Sequence, residues 1–143
     1  MAQTDVAIKW GFLDSFGLKE YAGLQYADST PPTIAAATTF VGVLAGLSEA
    51  AVCRIEANSI DKTEGVPAGD NASHYVASIL FQESGGDWKP SITIPAVEEA
   101  SLVKDGKTLT LDPTAVASVK AALETLTGKT FLSNPRVMVY TRK

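Results

Sequence analysis

Hydrophobic residues recur along this chain with two different periods, and the change from one to the other marks out its elements. Val6, Ile8, Trp10 and Phe12 alternate with Ala7, Lys9 and Gly11, the period of two expected of a half-buried strand. Tyr75, Ala77, Ile79 and Phe81 repeat that period; Ser84-Gly85-Gly86-Asp87 then turns the chain, and Ser91–Ile94 returns as a partner strand. Pro90 and Pro95 bracket the return strand and favour a short one or an edge position. The period lengthens at Asp112-Pro113, where a capping carboxylate precedes a proline suited to the first helical turn. Val116, Val119, Leu123 and Leu126 then share one helical face, and Gly128 supplies a left-handed stop. The β-branched and aromatic run 136–142 predicts a strand after that helix.

Thr30-Pro31 opens an earlier helix, with Ile34, Ala37, Val41, Leu44 and Ala45 on one face. Phe40, Val43 and Leu47 widen its apolar arc, so it is expected to be covered on more than one side. Residues 51–58 predict a strand close behind. Residues 14–29 hold Gly17, Gly23, Tyr21 and Tyr26 without a sustained period, as a long loop or a twisted hairpin would. Residues 59–73, with Gly65, Pro67, Gly69 and Asp70-Asn71, predict a loop. Residues 98–104 are ambiguous, and Asp105-Gly106 turns into a short strand at 107–111. Both helices are thus expected to begin on proline, and the two halves of the chain echo each other in pattern. The economical fold is one α+β domain over residues 1–143, a single mixed or antiparallel β-sheet with two helices packed on it. A split βαβ path is one way to connect it.

Composition narrows the class. A chain of 143 residues with 45% hydrophobic and 20% charged content can bury a core without staples. Its net charge of −4 argues against nucleic acid or an anionic membrane as the main partner. Cys53 is the sole cysteine, which excludes an internal disulfide and a thiolate zinc site and fits a protein made in a reducing cytoplasm. The first residues lack the basic and apolar regions of a signal peptide. Residues 29–48 carry no charge, but prolines, threonines and glycines interrupt them, which suits a buried or oligomer-facing helix better than a bilayer span.

No reaction is legible in the residues. Gly106-Lys107-Thr108 and Gly128-Lys129-Thr130 end like phosphate-binding loops, yet the required upstream glycine is Ser101 in one and Leu123 in the other. His74, the sole histidine, has no carboxylate at fixed spacing, and Cys53 falls on the face of Ala51 and Ile55, where a small apolar residue belongs. Glu98-Glu99, Asp61, Glu64 and Asp70 are expected to be solvated charge, since their spacing fits neither a carboxylate pair nor a calcium loop. Asn71-Ala72-Ser73 matters as a sequon only in an exported protein. The basic ends of the last strand, Arg136, Arg142 and Lys143, read as edge protection. No catalytic residue, metal ligand or cofactor is therefore assigned.

Aromatic residues crowd the first third instead. Trp10, Phe12, Phe16, Tyr21, Tyr26 and Phe40 look too many for one small domain to hide beside a nearly all-apolar helix. Trp10, Phe12, Phe16, Tyr21 and Tyr26 are accordingly the expected partner contacts, through the first strand and residues 13–29, with residues 59–73 as a second contact loop. Ser91-Ile92-Thr93-Ile94-Pro95-Ala96 after the hairpin, then Asp112-Pro113 and Val119-Lys120-Ala121-Ala122-Leu123, resemble small structural proteins of tailed bacteriophages, over residues 75–142. The resemblance implies a non-enzymatic virion subunit, made in the host cytoplasm, that binds copies of itself and a major capsid protein. A capsid decoration or cement protein that stabilises the shell is the first expectation; a tail-tube or head–tail joining subunit is the runner-up. The competing class is a small cytosolic enzyme or ligand-binding domain. On the first reading it takes no small-molecule substrate, nucleic acid or membrane.

Overall fold

The computed structural model describes residues 4–13, 19–28, 30–58, 61–63 and 75–141. Its first half is built on β1 (Thr4–Leu13) and β2 (Lys19–Asp28), ten-residue strands paired antiparallel from Thr4↔Asp28 to Leu13↔Lys19. Helix α1 (Ile34–Ala45) follows, then β3 (Ala51–Ala57), antiparallel along the other edge of β1, and the short β4 (Asp61–Thr63), giving the order β2-β1-β3-β4. The second half repeats the path. β5 (Tyr75–Leu80) and β6 (Ser91–Ile94) pair as a hairpin, and β9 (Arg136–Thr141) returns after helix α2 (Pro113–Thr127) along the far edge of β5, giving β6-β5-β9. A 3-10 turn (Glu99–Ser101) and the separate hairpin β7 (Leu102–Asp105) with β8 (Thr108–Leu111) are inserted before α2. Each half is thus a strand hairpin, a helix and a strand that comes back beside the first.

This is an α+β fold with two helices on sheet, and the echo between the halves is a repeat of connectivity. Its strands divide among three antiparallel sheets instead of joining the single sheet expected. Two seams hold the halves together. At one, the N–H of Glu49 donates to Ala96 O at 2.7 Å and that of Glu98 to Leu47 O at 2.9 Å. Buried Ser48 accepts there from the Ala50 N–H and donates to Pro95 O, so the polar group in the seam is satisfied. At the other, Tyr26 of the first half meets Trp88 of the second at 5.2 Å between ring centroids, and the ring series runs on within the second half, Trp88 to Phe131 at 5.8 Å and Phe131 to Phe81 at 5.9 Å. There β5 continues between two segments of its own half: Phe81 and Glu83 donate to Pro90 O and Trp88 O, while Leu132 donates to Gln82 O.

The aromatic surplus does not survive folding. Val6, Ile8, Trp10 and Phe12 fall on one face of β1 and all are buried, with Trp10 only 1% exposed and edge-to-face with Phe40 at 5.5 Å. Tyr26 is buried in the same cluster, which both halves share. The expectation that Trp10, Phe12 and Tyr26 meet a partner is corrected here: facing helices and a second sheet supply enough apolar area to cover them. Phe16 lies outside the described residues, as do the side chain of Tyr21 and most of the 59–73 stretch; β4 occupies residues 61–63 of it.

The helix ends show which local signals were sufficient. Asp112 Oδ1 accepts the Thr114 N–H, Pro113 is the first helical residue, and Gly128 takes the left-handed conformation at φ +71. Helix α1, by contrast, starts after its prolines and not on one. Thr33 caps it, accepting the Ala36 N–H at 3.1 Å, because Pro31 stands before Pro32 and is pushed to extended backbone. Residues 98–104 resolve into the 3-10 turn and β7.

Two titrating groups give testable consequences. Glu124 Oε2 accepts the Phe131 N–H at 2.9 Å and pairs with Lys120 at 3.3 Å, stapling α2 to the segment before β9. The Phe131 N–H chiefly, and Lys120 after it, hold this carboxyl below its usual range against the opposing effect of partial burial. Its stabilising contribution is present above the ordinary glutamate pKa and lost as pH falls through the lower folded-state value. Urea unfolding across the acid range should therefore show a flatter pH dependence in Glu124→Gln than in the parent chain. Tyr26 is pushed up to about 12, by burial first and Asp28 second, and its hydroxyl finds no hydrogen-bond partner among the described residues. Stability that depends on its neutral form is intact below pH 10.0, its ordinary value, and is lost as pH climbs toward 12. Tyr26→Phe should leave neutral-pH stability within about 1 kcal/mol of the parent or raise it, since an unmet buried hydroxyl is removed. It should also abolish that alkaline loss.

Candidate functional site

The repeated connectivity allows one half to be compared with the other. On the sheet of the first half, the face turned away from the core carries Asp5, Lys9, Gln25, Arg54 and Glu56, with Arg54 and Glu56 paired at 2.8 Å. That is an ordinary solvated sheet face. The corresponding face of the second half differs. Register pairs Val76 with Tyr140, Ser78 with Met138 and Leu80 with Arg136, and places Thr93 and Ser91 beside Ser78 and Leu80. Opposed residues share a face, so Leu80, Met138 and Tyr140 lie together on it as a stripe, with Arg136 opposite Leu80, Ser78 opposite Met138 and the buried Val76 opposite Tyr140.

Exposure confirms that the stripe faces solvent. Met138 is 56%, Tyr140 49% and Leu80 39% exposed, while Ala77, Ile79 and Ile92 on the opposite face are buried. Leu132, 49% exposed, extends the patch across a groove of about 320 Å³, which Leu80 and Leu132 line together with Lys89 and Arg136. Five large apolar side chains are exposed among the described residues, and four of them lie here. Scattered exposure would be unremarked; this concentration makes the face the candidate contact surface. Methionine, tyrosine and arginine are also the residue types that interfaces favour.

Among the described residues no group of three histidine, cysteine, aspartate or glutamate side chains could hold a metal ion. Of the earlier chemical candidates, His74, Glu64 and Asp70 lie outside the described residues, as does the Cys53 side chain, while Glu99 is exposed and paired with Lys104 at 3.5 Å. Among the described residues no helix is long and apolar enough to cross a membrane. A second opening of about 490 Å³ lies between α1 and α2, lined by methyl and hydroxyl groups such as those of Ala36, Thr39, Ser118 and Thr125.

Trp10, Phe12 and Tyr26, expected from the sequence as contact residues, do not fall on the stripe. A signal for it was nonetheless present. Val137-Met138-Val139-Tyr140 is apolar at both alternate sets of positions, as is Val76 to Leu80 apart from Ser78, and strands with one solvated face alternate with polar residues. No family model, curated protein or solved structure matches this chain.

Proposed function

We propose that this chain is a non-enzymatic structural subunit of a bacteriophage virion, a capsid decoration protein that stabilises an assembled shell. The observation that carries the reading is the gathering of four exposed large apolar side chains on the outer face of β5 and β9 and its adjoining groove. A face of that kind is a contact surface, and the equivalent face of the first half is polar. The residues that resemble small virion proteins, 75–142, fall in the same half as this face. Under this reading the core is complete within the subunit, and association uses the stripe in place of the first-strand aromatics.

Sedimentation velocity and electron microscopy of the purified chain test the proposal. Ordered multimers are expected, with tubes as the form that would move the assignment to a tail. Met138→Asp combined with Tyr140→Asp should abolish association. Because both side chains are half exposed, unfolding free energy should change by no more than about 1 kcal/mol for each, the span of strand propensity. A parent chain that remains monomeric at every concentration, unchanged by that substitution, would overturn the reading.

A further inference from the structure

The groove beside the stripe is lined by cations that have no partner. Arg54, Lys104, Lys120 and Lys129 are each in an ion pair. Lys89 and Arg136, both exposed, are in none among the described residues, and both line the groove, where no carboxylate joins them. Glu83 is held by Lys129 at 3.6 Å, and Asp87, two residues before Lys89, is not part of the lining. In a chain with 16 acidic and 12 basic residues, two unpaired cations without an acid run against the composition.

Strand pairing fixes where they stand. Leu80 is opposite Arg136 on one side and Ser91 on the other. The pairing on the β6 side continues past Leu80, since Phe81 donates to Pro90 O and Glu83 to Trp88 O, so Gln82 comes opposite Lys89. Leu132, whose N–H donates to Gln82 O, comes alongside from the other edge. Arg136 and Lys89 are therefore diagonal to each other, two strand spacings and one two-residue step apart, or about 12 Å between Cα atoms. Leu80 lies beside that diagonal. An extended segment shows a side chain on one face at every second residue, which puts its first and fifth residues about 13 Å apart. The two spacings match.

We propose that the groove takes an extended acidic segment of the protein on which the subunit assembles. Its central apolar side chain rests against Leu80 and Leu132, and a carboxylate two residues to either side meets Lys89 at one end and Arg136 at the other. The proposal rests on the reading of the chain as an assembling subunit and names the chemistry that its apolar face meets. The segment comes from a different protein: among this chain's acids only Glu83 and Asp87 stand four residues apart, and Gly85 is between them. A nucleic-acid strand would need a broader basic face with stacking aromatics. Apolar burial holds the segment, and the charges fix its register.

Fluorescence anisotropy on the full chain provides the test, with a labelled Glu-Thr-Leu-Thr-Glu peptide as probe, Lys-Thr-Leu-Thr-Lys as control and protein raised to millimolar concentration. The glutamate peptide should bind and the lysine peptide should not. Lys89→Glu and Arg136→Glu should each weaken binding by about tenfold or more, since each sets like charges face to face. The double reversal should take the lysine peptide instead, and serine in place of the probe's leucine should weaken binding to the parent. Circular dichroism and thermal unfolding provide the folding check; Lys89→Gln and Arg136→Gln, with a smaller loss expected, replace the reversals if either disturbs the fold. Equal binding of both peptides, or binding indifferent to the substitutions, would overturn the proposal. Sedimentation velocity on the same samples separates it from the subunit reading. A parent chain that multimerises without binding the glutamate peptide overturns this proposal alone, and self-association abolished by the reversals would then give the groove to a second copy. A parent chain that neither multimerises nor binds overturns both.

Discussion

Everything else in this fold depends on the join between its two halves. A three-stranded sheet with one helix encloses little volume, and a chain of half this length buries a smaller fraction of its surface than the whole chain does. Here the two sheets and both helices contribute to one buried cluster, from Val6 and Trp10 through Phe40 to Ile79, Ile92 and Leu123. The join is made by rings at one seam and by backbone pairing at the other. Ala96 shows how firmly the second is held: fully buried, it sits at φ +49, which costs an L residue about 1–2 kcal/mol. Its carbonyl accepts from Glu49, and the next residue donates to Tyr75 O, so hydrogen bonds to both halves hold the strained backbone in place.

That join also explains which side chains are left for a partner. Trp10, Phe12, Phe40 and Tyr26 are consumed in making the shared core, Trp88 meets Tyr26 at the seam, and Phe131 and Phe81 back Trp88 within the second half. The aromatic excess counted in the sequence is, at Trp10, Phe12, Phe40 and Tyr26, the material of the core itself. What folding leaves exposed is a less conspicuous set, Leu80, Leu132, Met138 and Tyr140, brought together from β5, β9 and the segment before β9.

The parts legible in the sequence were those specified by neighbouring residues. Asp112, Pro113 and Gly128 bound α2 because a cap, a ring and a left-handed turn act within one helical turn. The β5–β6 hairpin was legible for the same reason. β2 was only half legible, because Gly23 breaks its pattern, and the cause lies in another strand: a Cβ there would stand 2.8 Å from Ile8 O. The start of α1 was misplaced because two prolines and a capping threonine compete within four residues, and the second proline bars the first from helical backbone. The stripe was missed because it depends on register. Leu80 and Met138 lie far apart in sequence, and only the pairing of β5 with β9 makes them neighbours.

Repetition of one path with opposite outer faces has a physical consequence for assembly. If both faces were apolar, the subunit would stack through either side without a defined direction; if both were polar, it would have no reason to associate. On the proposed reading, one solvated face and one apolar face give the chain a defined direction in any assembly that it joins, because only the β5–β9 face offers apolar area to a neighbour while the β1–β3 face keeps its charges in water.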